Sequence, residues 1–158
     1  KQYRINSIEY QKQWSKNNPE KIKQLKDNGK ENRRLWTYRK YRTDLKFNLN
    51  RKMSGAILKS LKRNKRCYCW KGFVNYNLND LIKRLKKTMP KGYTWQDYME
   101  GKLQIDHIIP ISAWDFDKPE QINFKECWSL KNLQLLPARE NLSKNNKLYK
   151  PFQLALKI

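Results

Sequence analysis

Leu103-Gln104-Ile105-Asp106-His107-Ile108-Ile109-Pro110 holds the chain's only histidine. Some twenty residues later comes Asn132-Leu133-Gln134-Leu135-Leu136-Pro137-Ala138-Arg139-Glu140-Asn141-Leu142-Ser143-Lys144. The β-branched run over 104–109, stopped by Pro110, predicts a short strand. Residues 132–136 predict a second strand, and Pro137 opens a helix through about Lys147. Between the strands, 110–128 reads as a long connection with turn signals at Asp117-Lys118-Pro119. The expected order at this end is therefore strand, loop, strand, helix.

Working outward, the upstream half reads as helical. Tyr41, Leu45, Leu49, Met53, Ile57 and Leu61 recur every fourth residue, with Leu58 beside them, which predicts one long amphipathic helix over 35–63. Asn77 or Asn79 caps a further helix whose apolar face is Leu78, Leu81, Ile82, Leu85 and Met89, ended by Pro90 and Gly92. Tyr93, Trp95 and Tyr98 are expected to add core bulk beside it. In the first 34 residues, Asn17-Asn18-Pro19-Glu20 starts a helix, and Asn28-Gly29 is expected to close it. The fold class expected is α+β.

Charge divides the chain. The 158 residues carry 36 Lys and Arg against 14 Asp and Glu, a net charge of +22. Residues 1–66 hold +16 of this and 67–158 only +6. We therefore expect a basic helical arm at 1–66 and a more ordinary globular domain at 67–158. So cationic a surface selects a polyanion, nucleic acid before an anionic membrane. Arg39, Lys40, Arg42, Lys46, Arg51, Lys52, Lys59, Lys62 and Arg63 lie off the apolar stripe, where they can track phosphates. No apolar run approaches the ~20 residues of a bilayer span, and no signal-peptide pattern opens the chain, which begins at Lys1. A cytoplasmic site of action is expected. Cys67, Cys69 and Cys127 are an odd set with poor zinc spacing, so reduced thiols are expected and no structural zinc.

Asp106-His107 carries the chemistry. Hydrolysis of a phosphodiester needs an activated water, neutralised phosphate charge and help for the leaving oxygen. A neutral imidazole can take the water's proton. A carboxylate and an amide oxygen can hold one hard divalent cation with positions left open. On a strand, adjacent side chains point to opposite faces, so the carboxylate can face a metal while the imidazole faces substrate. Asn141, early in the following helix, can present its amide oxygen to the same ion. A lone histidine in an apolar strand is usually a packed core residue, and Asn132 alone is an ordinary turn residue. The adjacent Asp106 and the two asparagines downstream favour catalysis.

Ile105–Pro110, Asn132–Leu136 and Asn141-Leu142-Ser143-Lys144, taken in order, resemble the HNH endonucleases of the His-Me finger (ββα-metal) group. Lys71–Leu81 and Gly92–Tyr98 resemble the segment preceding the motif in phage-type members, and Arg51–Lys62 resembles their basic leader helix. The likeness covers roughly 40–148, with the finger at about 103–148. It implies His107 as general base and Asp106 and Asn141 as ligands of a single Mg²⁺ or Mn²⁺. Asn132 would tie the loop to the strand and orient the imidazole, while Arg139 and Lys144 would meet phosphate.

This chain departs from the pattern in two ways. Many relatives carry histidine at position 141, whereas an amide oxygen favours harder ions. Many also frame the finger with two zinc-binding cysteine pairs, and here Pro137 and Glu140 stand where the second pair would be. Asn145 is a further candidate ligand, set against its reading as an exposed helix asparagine.

The function expected is metal-dependent cleavage of double-stranded DNA, homing-type or phage-associated. A non-cleaving DNA-binding protein on the same scaffold and an RNase are the alternatives. A monomer would nick one strand, and no dimer interface is legible.

Overall fold

Asn18 ends one helix and begins another. Its side-chain amide donates to the carbonyl of Trp14 (2.9 Å), and its own carbonyl accepts from the Ile22 N–H (3.0 Å). Before it runs α1 (Gln2–Asn17) and after it α2 (Pro19–Thr43). Pro19 takes the first helical position, where a missing N–H leaves nothing unsatisfied. The computed structural model describes residues 2–61 and 70–147.

Two sequence expectations about these helices are corrected. Asn28-Gly29 does not end a helix but lies inside α2. A mid-helix glycine costs about 1 kcal/mol, and the Lys, Glu, Gln, Leu and Arg around it are strong helix formers. The Asp27–Lys30 ion pair (3.1 Å) also bridges that turn. The long helix expected over 35–63 is interrupted at Asp44, which is extended (φ −114°, ψ 105°) and accepts from the Phe47 N–H (3.0 Å). A short acceptor side chain offers a helix N–H an alternative partner and so starts α3 (Leu45–Ser60) afresh. The apolar spacing runs straight through the break, so periodicity alone could not reveal it.

The chain falls into two compact units, Lys1–Tyr41 and Arg42–Ile158. The division expected after residue 66 falls outside the described residues, and α3, assigned from sequence to the basic arm, belongs to the second unit. In the first unit the described side chains are mostly exposed, including Tyr10, Leu25, Leu35 and Trp36.

In the second unit one core collects the apolar faces. Leu49, Met53, Ile57 and Leu61 meet Leu81 and Leu85 of α4 (Leu78–Lys87) and Tyr98 of α5 (Trp95–Met99). Phe124 and Cys127 of α6 (Ile122–Cys127), the adjacent Trp128, Trp70, and Leu103, Leu133 and Leu135 of the strands complete it. Asn77 caps α4 in a reciprocal box with Asp80, and Thr94 caps α5 in the same way with Asp97. The connection between the strands, expected as loop, contains α6.

The sheet has two antiparallel strands, β1 (Leu103–His107) and β2 (Leu133–Pro137), followed at once by α7 (Ala138–Lys144). Asp106 faces Gln134 and His107 faces Leu133 in register. The ladder continues at both ends, with the Ile108 N–H on the Asn132 carbonyl and the Ala138 N–H on the Lys102 carbonyl, each at 2.8 Å. On the outer edge of β2, helix α4 and its C-cap Thr88 supply the partners. Arg84 donates to the Leu133 carbonyl (2.9 Å), and the Leu135 N–H donates to the Thr88 hydroxyl (3.2 Å). The architecture is α+β, mostly helical with this one small sheet. No helix among the described residues is long and apolar enough to cross a membrane.

Candidate functional site

Strand alternation sends Leu103, Ile105 and His107 to one face of β1 and Gln104 and Asp106 to the other. The first face is the core. There His107 meets Trp128 edge-on, with ring centroids 4.5 Å apart and planes at 87°. Trp128 is itself anchored by its indole N–H on the Ser60 hydroxyl (3.2 Å). The imidazole Nε2 is buried without a hydrogen-bond partner, whereas Nδ1 is not among the buried orphan atoms. Burial pushes the imidazole pKa down to about 4, with Lys144 adding to the fall and Asp106 opposing it. Burial thus favours the uncharged form of the ring at pH 7.

Asn132 is buried and makes three side-chain hydrogen bonds. Its Oδ1 accepts from the Ile109 N–H (2.8 Å), and its Nδ2 donates to the carbonyls of Ile109 (3.1 Å) and Cys127 (2.8 Å). It therefore clamps the chain two residues past His107 to the end of α6. It is not bonded to the imidazole itself.

On the opposite face Asp106 is nearly buried. Its Oδ2 accepts from Gln134 Nε2 (2.9 Å) and from the Lys144 ammonium (2.7 Å). Lys144 also donates to the carbonyl of His107. Asn141, three residues before it on α7, donates from Nδ2 to Gln104 Oε1 (2.8 Å). Gln104, Arg139, Asn141 and Asn145 line an open groove of about 550 Å³ beside β1. Asn145 itself turns left-handed (φ 46°) just past the helix.

The candidate phosphate contacts separate by exposure. Arg39, Arg42, Arg51, Lys59 and Arg139 are exposed, whereas Lys144 is buried with its ammonium turned inward. Lys52 is half-buried, its ammonium 4.1 Å from the Tyr98 ring centroid, and burial lowers its pKa. Lys62, Arg63, Cys67 and Cys69 lie outside the described residues. Cys127 is a free, buried thiol whose pKa burial pushes up to about 12, which leaves it inert.

Sequence reasoning overlooked four participants. Gln104 and Gln134 share the Asp106 face, and their alternation with apolar neighbours in the strands was the available signal. Arg84 donates to the carbonyls of Lys131 (2.9 Å) and Leu133 (2.9 Å), bracketing Asn132 from α4. Trp128 packs on His107 from a stretch read only as loop. Neither of the last two had a local sequence signal, because both act across long chain separations.

The chain is similar to an uncharacterized mimivirus protein. That protein, L426 of Acanthamoeba polyphaga mimivirus, is 24% identical over 110 residues, which are 69% of this chain and 47% of that protein. The chain thus spans about half the length of this relative. No protein-family model matches the chain, and no solved structure matches it.

Among the described residues no three His, Cys, Asp or Glu side chains gather into a metal-holding cluster. Asp106 Oδ1 and Asn141 Oδ1 make no hydrogen bond among the described residues. One carboxylate and one amide oxygen suit a hard ion such as Mg²⁺, which keeps several waters and shares its sphere with substrate phosphate.

Proposed function

We propose that the chain is a metal-dependent DNA endonuclease of the HNH group, with β1, β2 and α7 as its ββα-metal finger. What supports this reading most is one arrangement. A neutral imidazole ends β1, the preceding carboxylate faces the other way toward α7, and Asn141 shares that second face through Gln104.

In this reading Asp106 and Asn141 would hold a single Mg²⁺ or Mn²⁺. The bound ion supplies neutralisation of the phosphate and of the leaving 3′ oxygen. His107 accepts the proton of the attacking water at Nδ1, and the adjacent Asp106 charge favours the imidazolium that forms. The new bond joins water oxygen to phosphorus and the P–O3′ bond breaks, leaving a 5′-phosphate and a 3′-hydroxyl. Asn132 keeps the chain after His107 from drifting, while Arg51, Lys59, Arg139 and the arginines of α2 attract the backbone. The protein's own geometry is thus assigned three tasks: holding, orienting and accepting a proton.

Cleavage of supercoiled plasmid with and without Mg²⁺, with His107→Ala alongside, tests the proposal. Metal-dependent nicking by the wild type and its loss in the variant is the expected result. Equal activity in the two would sink it. Parallel digestion of RNA separates the RNase alternative.

A second reading, a nucleic-acid-binding protein that does not cut, draws on the depth at which His107 is packed against Trp128. It predicts salt-sensitive DNA binding with no metal-dependent product.

A further inference from the structure

Lys144 lies at the end of α7 with almost its whole side chain inside the protein. Its side chain is 2% exposed and that of its partner Asp106 is 10% exposed. The ammonium has two acceptors, Asp106 Oδ2 at 2.7 Å and the His107 carbonyl on the outer edge of β1. Gln134 donates to the same Oδ2. The carboxylate is therefore divided: one oxygen is committed to an internal cation and an internal amide, and the other is free of hydrogen bonds among the described residues.

We propose that Lys144 is a resident counter-ion of Asp106: it keeps the finger folded without a metal and weakens the hold of this carboxylate on a divalent ion. The inference rests on the metal-dependent reading above and adds to it what sets the ion requirement. A buried carboxylate left alone would be strained by lost hydration and would draw in any cation strongly. Here the ammonium already supplies that neutralisation and ties the last turn of α7 to the end of β1. A divalent ion arriving at Oδ1 meets a carboxylate whose charge is balanced, with a like charge close behind it. At such separations a unit charge changes affinity by roughly tenfold or more, even with substantial screening. The inward aim of Lys144 also separates this role from that of a phosphate ligand. Removing a phosphate ligand weakens nucleic-acid binding and leaves metal affinity alone, whereas removing a counter-ion strengthens metal binding.

The test measures Mn²⁺ binding by electron paramagnetic resonance on the full chain, without DNA, for wild type, Lys144→Gln and Lys144→Arg. Gln retains an N–H donor but not the charge, whereas Arg retains both. Lys144→Gln should bind Mn²⁺ roughly tenfold or more tightly than wild type, and Lys144→Arg about as wild type does. Equal or weaker binding by Lys144→Gln would overturn the inference while leaving the metal reading intact. No binding by wild type or either variant, even after duplex DNA is added, would remove the metal reading as well. A separate arm needs no variant and stands even if Lys144→Gln fails to fold. Near-UV circular dichroism of the wild type in EDTA should be unchanged, and its collapse would show that a metal, not Lys144, holds the finger.

Discussion

Asn132 and Ile109 grip each other by two hydrogen bonds, N–H to Oδ1 at 2.8 Å and Nδ2–H to carbonyl at 3.1 Å. This amide imitates a strand partner for a residue that has already left the sheet. Asn132→Ala should orphan the buried Cys127 carbonyl and the half-buried N–H and carbonyl of Ile109, and cost about 2–4 kcal/mol. Asn132→Asp should cost at least as much, because it keeps the acceptor but loses both donors and buries a charge. Urea denaturation measures each, and a destabilisation under about 1 kcal/mol for Asn132→Ala would show that water replaces the clamp.

The Asp106–Lys144 pair sets how Asp106 should be mutated. Asp106→Ala leaves the buried ammonium uncompensated, a situation that typically costs about 3–5 kcal/mol. Asp106→Asn retains an acceptor for Lys144 and should lose less. Thermal melts of both variants, run before any activity assay, check this. If Asp106→Ala melts like wild type, Lys144 has moved to solvent.

His107 gives a pH dependence of stability. Its folded pKa of about 4 lies below the unfolded value near 6.5, so the unfolded chain binds more protons between them. The stability contributed by the neutral ring is present above pH 6.5 and is lost as pH falls toward 4, by up to about 3 kcal/mol. Subtracting the pH profile of His107→Gln from that of wild type isolates this part. A flat difference between pH 4 and 7 would show the ring to be hydrated.

The two faces of α3 should answer to different experiments. Ile57→Ala empties a buried position and should cost about 2–4 kcal/mol, with little direct effect on DNA binding. Lys59→Ala and Arg51→Ala should leave stability within about 0.5 kcal/mol. If each side chain neutralises one phosphate, each substitution should also shrink the slope of log affinity against log salt by about 0.9. Fluorescence anisotropy across a salt series reads this directly, and an unchanged slope would place these residues off the DNA.

The sequence made the helix–strand–strand–helix order legible because each element there carries its own local signal. A β-branched run stops at Pro110, an apolar run precedes Pro137, and Asn77 stands before an amphipathic stretch. The break at Asp44 is not legible, because its cap leaves the fourfold apolar spacing undisturbed. Gly29 was misread because context outweighed a turn-prone dipeptide. At the candidate site, Asp106, His107, Asn132 and Asn141 stand out in the sequence through the order of residues that resembles the HNH motif. The direction Lys144 faces does not, since a lysine on a short helix reads as solvent-exposed until its carboxylate partner, 38 positions away, is known. Arg84 and Trp128 were hidden for the same reason.

The side of β2 that faces away from β1 carries a further consequence. Two-stranded ribbons usually present an open row of amides and carbonyls that a third strand from another molecule can extend. Here Arg84 of α4 has taken the Leu133 carbonyl, and Thr88, the residue that caps α4, the Leu135 amide. A strand from a neighbouring molecule would have to displace both side chains before it could pair along β2.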